Sequence, residues 1–454
     1  MKNICIASAL AVVLSACGGS LVDHLGVTVT GTLPDGGGCT GASCNPTCSC
    51  DNIANAQSAC ASGNQCVYTC DGGYVACGSA CCLPQAIAAG GDSTCAIVED
   101  SAAVSKVVCW GATLGGSGSS NRPTLVPGLS GVTLLAVGGG HACAATADGV
   151  HCWGSNDSGQ LGQPSTSVAA STTPLAAVPG ISGTVSSLAL GTKHSCAVTE
   201  NGAFCWGNAG NDRLSTGSST SGTVQVPNSA GASRISAGDE DSCIVSAAGA
   251  PVCWGSNDDG QIGSTSASNP EPAPNHPASL SGGGASTAIA IASGLDHNCV
   301  VSDKNTVHCW GRGDSGQLGD EGNLNKPTPD KVAIANVTKI AAGASHTCAY
   351  STAPGGGAEG DPGGGLFCWG SNTFFQFGSN GASSANVPTA AAAFPVAVSV
   401  VDALAAGSNH TCALGTTAAG QDVFCWGKND KGQAGVESGQ QNVGAPTLAA
   451  KVLP

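Results

Sequence analysis

Five times along this chain an imidazole stands two residues ahead of a thiol, at His141, His194, His297, His346 and His410. Each of those cysteines is followed by a second one inside the tripeptide Cys-Trp-Gly, as in "HSCAVTENGAFCWG" from His194 to Gly207. Imidazole and thiolate ligate metals, imidazole moves protons, and thiols join as disulfides. The chain has 26 cysteines. A reducing cytosol gives that number no structural account, whereas an oxidising compartment makes it ordinary.

The spacing then favours disulfides. All seven tryptophans, Trp110, Trp153, Trp206, Trp254, Trp310, Trp369 and Trp426, lie in Cys-Trp-Gly. Each unit holds one cysteine pair: Cys95-Cys109, Cys143-Cys152, Cys196-Cys205, Cys243-Cys253, Cys299-Cys309, Cys348-Cys368 and Cys412-Cys425. Between Cys196 and Cys205 the turn falls near Glu200-Asn201-Gly202, where Asn and Gly tolerate positive φ. The two cysteines then face each other across an antiparallel hairpin, with Cβ atoms about 4.5–5.5 Å apart. That is within disulfide reach, and each staple adds about 2–4 kcal/mol. In unit six the insertion "APGGGAEGDPGGG" (353–365) bulges at the hairpin tip and leaves the pair able to close.

The elements that position these hairpins are short strands. "LLAVGGG" (134–140) and "VTKIAAG" (337–343) are apolar, partly β-branched and end at glycine. The His-x-Cys segment is a second strand and the Cys-Trp-Gly segment a third. A turn phrase follows, "GSNDSGQLG" at 154 and "GSNDDGQIG" at 255. Pro-containing runs such as "KPTPDKVA" (326–333) supply an outer strand or a crossover. Seven such units, none able to bury itself alone, predict an all-β seven-bladed β-propeller over 86–454. Its first unit begins without a preceding Pro-rich strand. The C-terminal "APTLAAKVLP" (445–454) is therefore expected to complete the first blade.

A small disulfide-rich module precedes the propeller. Residues 39–82 hold Cys39, Cys44, Cys48, Cys50, Cys60, Cys66, Cys70, Cys77, Cys81 and Cys82. Such a segment builds no core of its own and needs cross-links, whose connectivity spacing does not reveal. Residues 17–38 form a Gly-rich tether. Residues 1–16 have the basic start and short apolar run of a signal peptide. "LSAC", ending at Cys17, resembles the lipobox of bacterial lipoproteins. The resemblance implies lipidation of Cys17 and, with Gly18 next, an outer-membrane lipoprotein. The chain would then meet the membrane through its N-terminal lipid only.

Net charge is -15 and only 14 residues are Lys or Arg. Nothing supplies the basic surface that nucleic acid requires. The pattern "AAGxxHTCAL…FCWGxNxxGQxG" resembles the regulator of chromosome condensation repeat, seven copies of which form a propeller. Units two, five and seven match best. Units one and three have degraded turns, and unit four carries Asp241 in place of histidine. The cysteine pairs depart from the intracellular relatives and suit an exported version. The family's nucleotide exchange on a nuclear GTPase does not carry over to an exported, acidic chain. Bacterial propellers with this repeat bind proteins, a secreted β-lactamase inhibitor among them.

No catalytic set emerges. The five histidines and seven tryptophans read as structural, because equivalent positions in different blades are too far apart to share one ligand. "SNDSGQ" resembles the Asp-box of sialidase propellers, but Arg122, Arg213, Arg234 and Arg312 lie in separate units and Tyr350 is the propeller's single tyrosine. Arg312-Gly313-Asp314 and the acidic Asp157, Asp258 and Asp259 fall in turns. No cofactor or metal is expected. The chain reads as a non-enzymatic, monomeric lipoprotein scaffold for an unidentified protein partner. A structural envelope protein and an extracellular glycan hydrolase or lyase are the alternatives. The loops 264–285 and 353–365, and Phe374, Phe375 and Phe377 of "TFFQF", are the candidate contacts.

Overall fold

The computed structural model describes residues 54–451, apart from 62–64, 78–79, 165–166, 216–221, 266, 275–277, 281–285, 353–364, 380, 437–440 and 450. The signal segment, Cys17, the tether and Cys39, Cys44, Cys48 and Cys50 lie outside the described residues, as does most of the 353–365 insertion.

Seven antiparallel sheets carry the repeats, each built from strands consecutive in sequence. The first blade runs through Cys81–Gly90, Ser93–Glu99, Ser105–Ala112 and Ser119–Leu125. The next five occupy 134–171, 185–225, 234–255, 288–331 and 337–390. The seventh consists of Val398–Ala406, His410–Thr417, Gly420–Lys428 and Asn442–Leu448. In every blade the second strand carries the first paired cysteine, as His-x-Cys in five of the seven, and the third is the Cys-Trp-Gly segment. Their side chains alternate between the two flanking blades, which is why both strands are buried on both faces. The fourth blade departs from the rest. Among the described residues it has three strands, with a Gly255–Glu271 bridge and an Ala278 N–H to Pro251 carbonyl bond (2.8 Å) where its outer strand would pair.

Cross-strand register puts each cysteine directly opposite its partner, Cys196 against Cys205 and Cys412 against Cys425 among them. All seven hairpins are disulfide-bonded, with Cα–Cα distances from 4.0 Å at Cys95–Cys109 to 4.1 Å at Cys196–Cys205. The core is a set of wedges between neighbouring blades, not one central mass. Each wedge holds a tryptophan: Trp153 with Val107 and Val126, Trp206 with Val150 and Leu161, Trp310 with Val245 and Ile262.

Two sequence expectations need correction. The segment Asn442–Leu448 pairs with the third strand of its own blade, Thr447 opposite Cys425, and does not complete the first blade. The place it was expected to fill is taken by Ser119–Leu125, Thr124 opposite Cys109. In blades one, five, six and seven the Pro-containing run pairs with the Cys-Trp-Gly strand before it in the same sheet; it does not precede the next unit. The propeller also begins at Cys81, not at residue 86, because Leu83 and Pro84 already pair with Glu99 and Val98.

The ring therefore closes without strand exchange. Val398–Ala406 lies beside Cys81–Gly90, and the Ser408 N–H donates to the Gly91 carbonyl (2.8 Å). A clasp from the cysteine-rich segment reinforces the joint. Cys70 is bonded to Cys81 and Cys77 to Cys82, which ties the segment to the innermost strand of blade one. On the other side the Cys70 N–H donates to the Lys451 carbonyl (3.0 Å), and the Gly73 N–H donates to Asp422 Oδ1 (2.9 Å). The buried Lys451 ammonium pairs with Asp422 and donates to the Tyr74 carbonyl (2.7 Å). Val75, Cys77 and Cys82 share an apolar cluster with Val423, Phe424 and Trp426.

Candidate functional site

The repeated histidines form the joints between blades. Nε2 of His141 lies 2.8 Å from Oγ of Ser195 in the next blade, and His194 stands likewise 2.8 Å from Ser242. His297 meets Thr347 (2.9 Å), His346 meets Thr411 (3.0 Å), and His410 meets Thr94 (2.7 Å) across the ring closure. Each hydroxyl donates onward to a backbone carbonyl of the turn phrase: Ser195 to Gln160 (2.9 Å), Thr347 to Gln317 (3.0 Å), Thr411 to Gln376 (3.2 Å) and Thr94 to Gln433 (2.9 Å). A hydroxyl has one proton, so the imidazole must be the Nε2–H tautomer and the donor. The same carbonyls accept the indole N–H: Trp206 to Gln160 (2.9 Å), Trp369 to Gln317 (2.9 Å), Trp426 to Gln376 (2.7 Å) and Trp110 to Gln433 (3.0 Å).

This geometry makes the histidines structural. All five are buried, and burial pushes His141, His194, His346 and His410 down to about 3 and His297 to about 4. Their Nδ1 atoms have no hydrogen-bond partner, as suits a neutral ring. The ring packs on the glycine that ends the innermost strand. A Cβ at Gly343 would lie 2.1 Å from Cε1 of His346, so that position tolerates no side chain. Among the described residues no group of three His, Cys, Asp or Glu side chains is placed to hold a metal.

Sequence reasoning missed the partners of these histidines. The signal was the residue between His and Cys. It is Ser or Thr wherever the preceding blade has histidine. It is Ala142 after the first blade, which has Ser93 at the histidine position, and Asn298 after the fourth, which has Asp241.

The central channel is a cavity of about 320 Å³ bounded by the seven innermost strands. Equivalent aliphatic residues line it, Ile87, Leu135, Leu188, Ile235, Ile291, Ile340 and Leu404, with Thr192, Ser236, Ser293 and Ser408 as its hydroxyls. That lining carries no titratable side chain, so acid–base chemistry has no residue to use there.

Because successive strands are antiparallel, the Gly-x-x-His loops and the turn phrases open on one face. The hairpin tips open on the other. Each turn phrase is held by its own side chains. Asn156 Oδ1 accepts the Leu161 N–H (3.0 Å), and Gln160 Oε1 accepts the Ser158 N–H (2.9 Å). Unit six repeats this with Asn372 to Phe377 (2.9 Å) and Gln376 to Phe374 (2.8 Å). Phe377 thus stands where the other units have Leu, and it is 2 % exposed. It is core, which corrects its assignment as a contact residue. Phe374 and Phe375 are part-exposed on the turn face, and the Lys428 ammonium lies 5.8 Å from the centre of the Phe374 ring. Phe375 occupies the turn's glycine position, with φ +66° where Gly159, Gly316 and Gly432 have +79°, +81° and +82°.

The remaining candidates are engaged locally. Arg312 pairs with Asp314 (2.7 Å) and Asp296 (3.4 Å). Asp258 and Asp259 accept from Asn269 (2.7 Å) and Asn325 (2.6 Å), and Asp157 is exposed. Arg122, Arg213, Arg234 and Arg312 fall in different blades or loops, Arg213 buried against Glu240 (2.7 Å).

Comparison with known proteins agrees with this geometry. The Regulator of chromosome condensation (RCC1) repeat matches residues 148–198, 304–350 and 363–414, and a second form of it matches 132–160, 288–317 and 401–433. The ultraviolet-B receptor UVR8 of Arabidopsis thaliana is 26% identical over 315 residues, 67% of this chain and 67% of that protein. The E3 ubiquitin-protein ligase HERC2 of Homo sapiens is 27% identical over 246 residues, 51% of this chain but 5% of that protein. Yeast RCC1 (Prp20), solved bound to Kap60, superposes with a TM-score of 0.61 at 22% identity, covering 75% of this chain and 82% of that one. Human WBSCR16 gives 0.61 at 18%, covering 75% and 92%. The matched segments fall on blades whose joints repeat one bond pattern, and the solved structures share the ring: the chain is a seven-bladed β-propeller, and three stretches of it match the regulator of chromosome condensation repeat.

Proposed function

We propose that this chain is an exported lipoprotein, anchored through Cys17 in the outer membrane, whose propeller is a monomeric scaffold that binds another protein. The "LSAC" segment supports the anchor, and seven stapled hairpins suit an oxidising compartment. The observation that carries the binding reading is Phe375. A bulky side chain in a left-handed glycine position costs about 1–2 kcal/mol. Its neighbour Phe374 also shows part of its ring to solvent. A part-exposed aromatic pair, one member of it strained, on an otherwise self-satisfied turn face suits a hydrophobic anchor for a partner. Yeast RCC1 bound to Kap60 is a precedent for a propeller of this kind that engages a protein.

The test uses the full chain immobilised against the envelope fraction of the producing organism. Phe374→Ala with Phe375→Gly is expected to retain the wild-type melting profile and to lose at least tenfold in capture of the partner. Undiminished capture contradicts the assignment. Failure of the wild-type chain to capture any protein favours a structural envelope role. Cys17→Ser is expected to release the chain from the membrane fraction, and continued retention contradicts the lipid anchor.

A further inference from the structure

Five of the seven joints repeat one bond inside this single chain, and the joint between blades four and five reverses its logic. In those five the first blade donates: imidazole N–H to hydroxyl. Here the histidine position is Asp241, 1% exposed, and the hydroxyl position is Asn298. The Asn298 amide donates one proton to Asp241 Oδ2 (2.8 Å) and the other to the Gln261 carbonyl (2.9 Å). Its own oxygen accepts from Ser293 (2.5 Å). Asn298 is fully used, and it supplies Asp241 with one bond only.

The second carboxyl oxygen is the anomaly. Asp241 Oδ1 is buried, and among the described residues it has no donor to accept from. Around Gly238, the glycine on which imidazole would pack, two carbonyl oxygens of the next blade approach the same Cβ position as Oδ1. A Cβ built there would lie 2.3 Å from Oδ1 and 2.9 Å from each of the Gly294 and Leu295 oxygens. The Leu295 carbonyl already accepts the Asp239 N–H (2.9 Å). An ionised carboxylate offers only lone pairs to such a neighbourhood, which is the costly arrangement. A neutral acid offers an O–H.

We propose that Asp241 is held as a neutral carboxylic acid that donates its Oδ1 proton to the Gly294 and Leu295 carbonyl edge, and that losing this proton loosens the seam between blades four and five. The surrounding charges agree. Asp239 and Glu240 flank it on its own chain, and Asp296 faces it from blade five with Arg312 beyond. Asp259 lies on the turn phrase of the fourth blade. From blade three come neutral His194 and Arg213, whose guanidinium is taken by Glu240. Burial first, then Asp296 and Asp239, raise the Asp241 carboxyl to about 8, against the pull of Asn298. Among the described residues the affected blade is also the one without an outer strand, so the ring has a pH-dependent joint at its least braced sheet.

Asp241→Asn is the isosteric mimic of the neutral acid and keeps every bond of the junction. The folded carboxyl holds its proton above the unfolded value, so ionisation penalises the wild type as pH rises through roughly 4 to 8. The melting temperature of Asp241→Asn minus that of wild type should be near zero at pH 4.5, climb by several degrees up to pH 8, and then level off. A difference that does not change with pH overturns the proposal. So does a variant less stable than wild type at pH 8, which would show that the charge itself is needed, as for a bound cation. Should the variant not fold, 13C-aspartate spectra of the wild type decide: one neutral carboxyl signal persisting at pH 7 is expected, and its absence overturns the proposal.

Discussion

Nε2 of His410, in the last blade, lies 2.7 Å from Oγ1 of Thr94, in the first. The bond repeats the one that joins most neighbouring blades, so the ring's ends meet by the same chemistry as its interior joints. Replacing His410 with Ala leaves a buried hydroxyl without its donor and opens a void against Gly407. Urea unfolding should show a loss of about 2–4 kcal/mol. His346→Ala, in an interior joint, should cost about as much. A silent His410→Ala beside a costly His346→Ala would mean that closure rests elsewhere.

The same histidines set an acid limit. Their folded values lie near 3 to 4, below the unfolded 6.5. The unfolded chain therefore binds more protons as pH falls, and stability present above about 6.5 is lost progressively toward 3. Each histidine contributes up to about 1.4 kcal/mol per pH unit across that window. Denaturant midpoints between pH 7 and 4 should fall steeply, and the slope should ease in His→Gln variants. A flat profile contradicts neutral burial.

The clasp makes a separate prediction. Lys451 is buried, ion-paired with Asp422 and bonded to the Tyr74 carbonyl, and burial lowers its ammonium. Lys451→Met strands Asp422 and should cost about 3–5 kcal/mol. Adding Asp422→Asn should restore part of the loss, because the amide oxygen still accepts the Gly73 N–H. Thermal melting of the two variants checks this, and equal stabilities would contradict a paired role.

Phe375 links stability to function. Phe375→Gly alone relieves the left-handed backbone and should raise stability by about 1 kcal/mol in urea. The same variant should bind the captured partner more weakly. A destabilised Phe375→Gly would place the ring in the core after all.

Much of this architecture was legible in the sequence, because the repeated phrase carries its own hairpin register. Cys196 and Cys205 face each other as a two-residue turn at Glu200-Asn201 requires, and Trp206 follows into a wedge. What was not legible lay between units. Proline-rich runs separate one Cys-Trp-Gly from the next strand, and nothing local says which sheet claims them. Hence the expectation that 445–454 completes the first blade fails: its strand portion pairs within the seventh. Phe377 was misjudged because three phenylalanines in a row of four look like a patch. Only alignment of "SNTFFQFG" with "SNDSGQLG" separates the buried leucine position from the exposed pair. The Asp241–Asn298 exchange was visible only in part, since its meaning depends on which residues meet across a joint.

The repeated histidines are neutral donors joining blade to blade. Nitrogen-15 spectra of the histidine-labelled full chain test it most directly. Five rings should show the Nε2–H tautomer at pH 7 and keep it to pH 5. Rings that titrate near 6.5, or that carry the proton on Nδ1, would contradict the joint described for His141, His194, His297, His346 and His410.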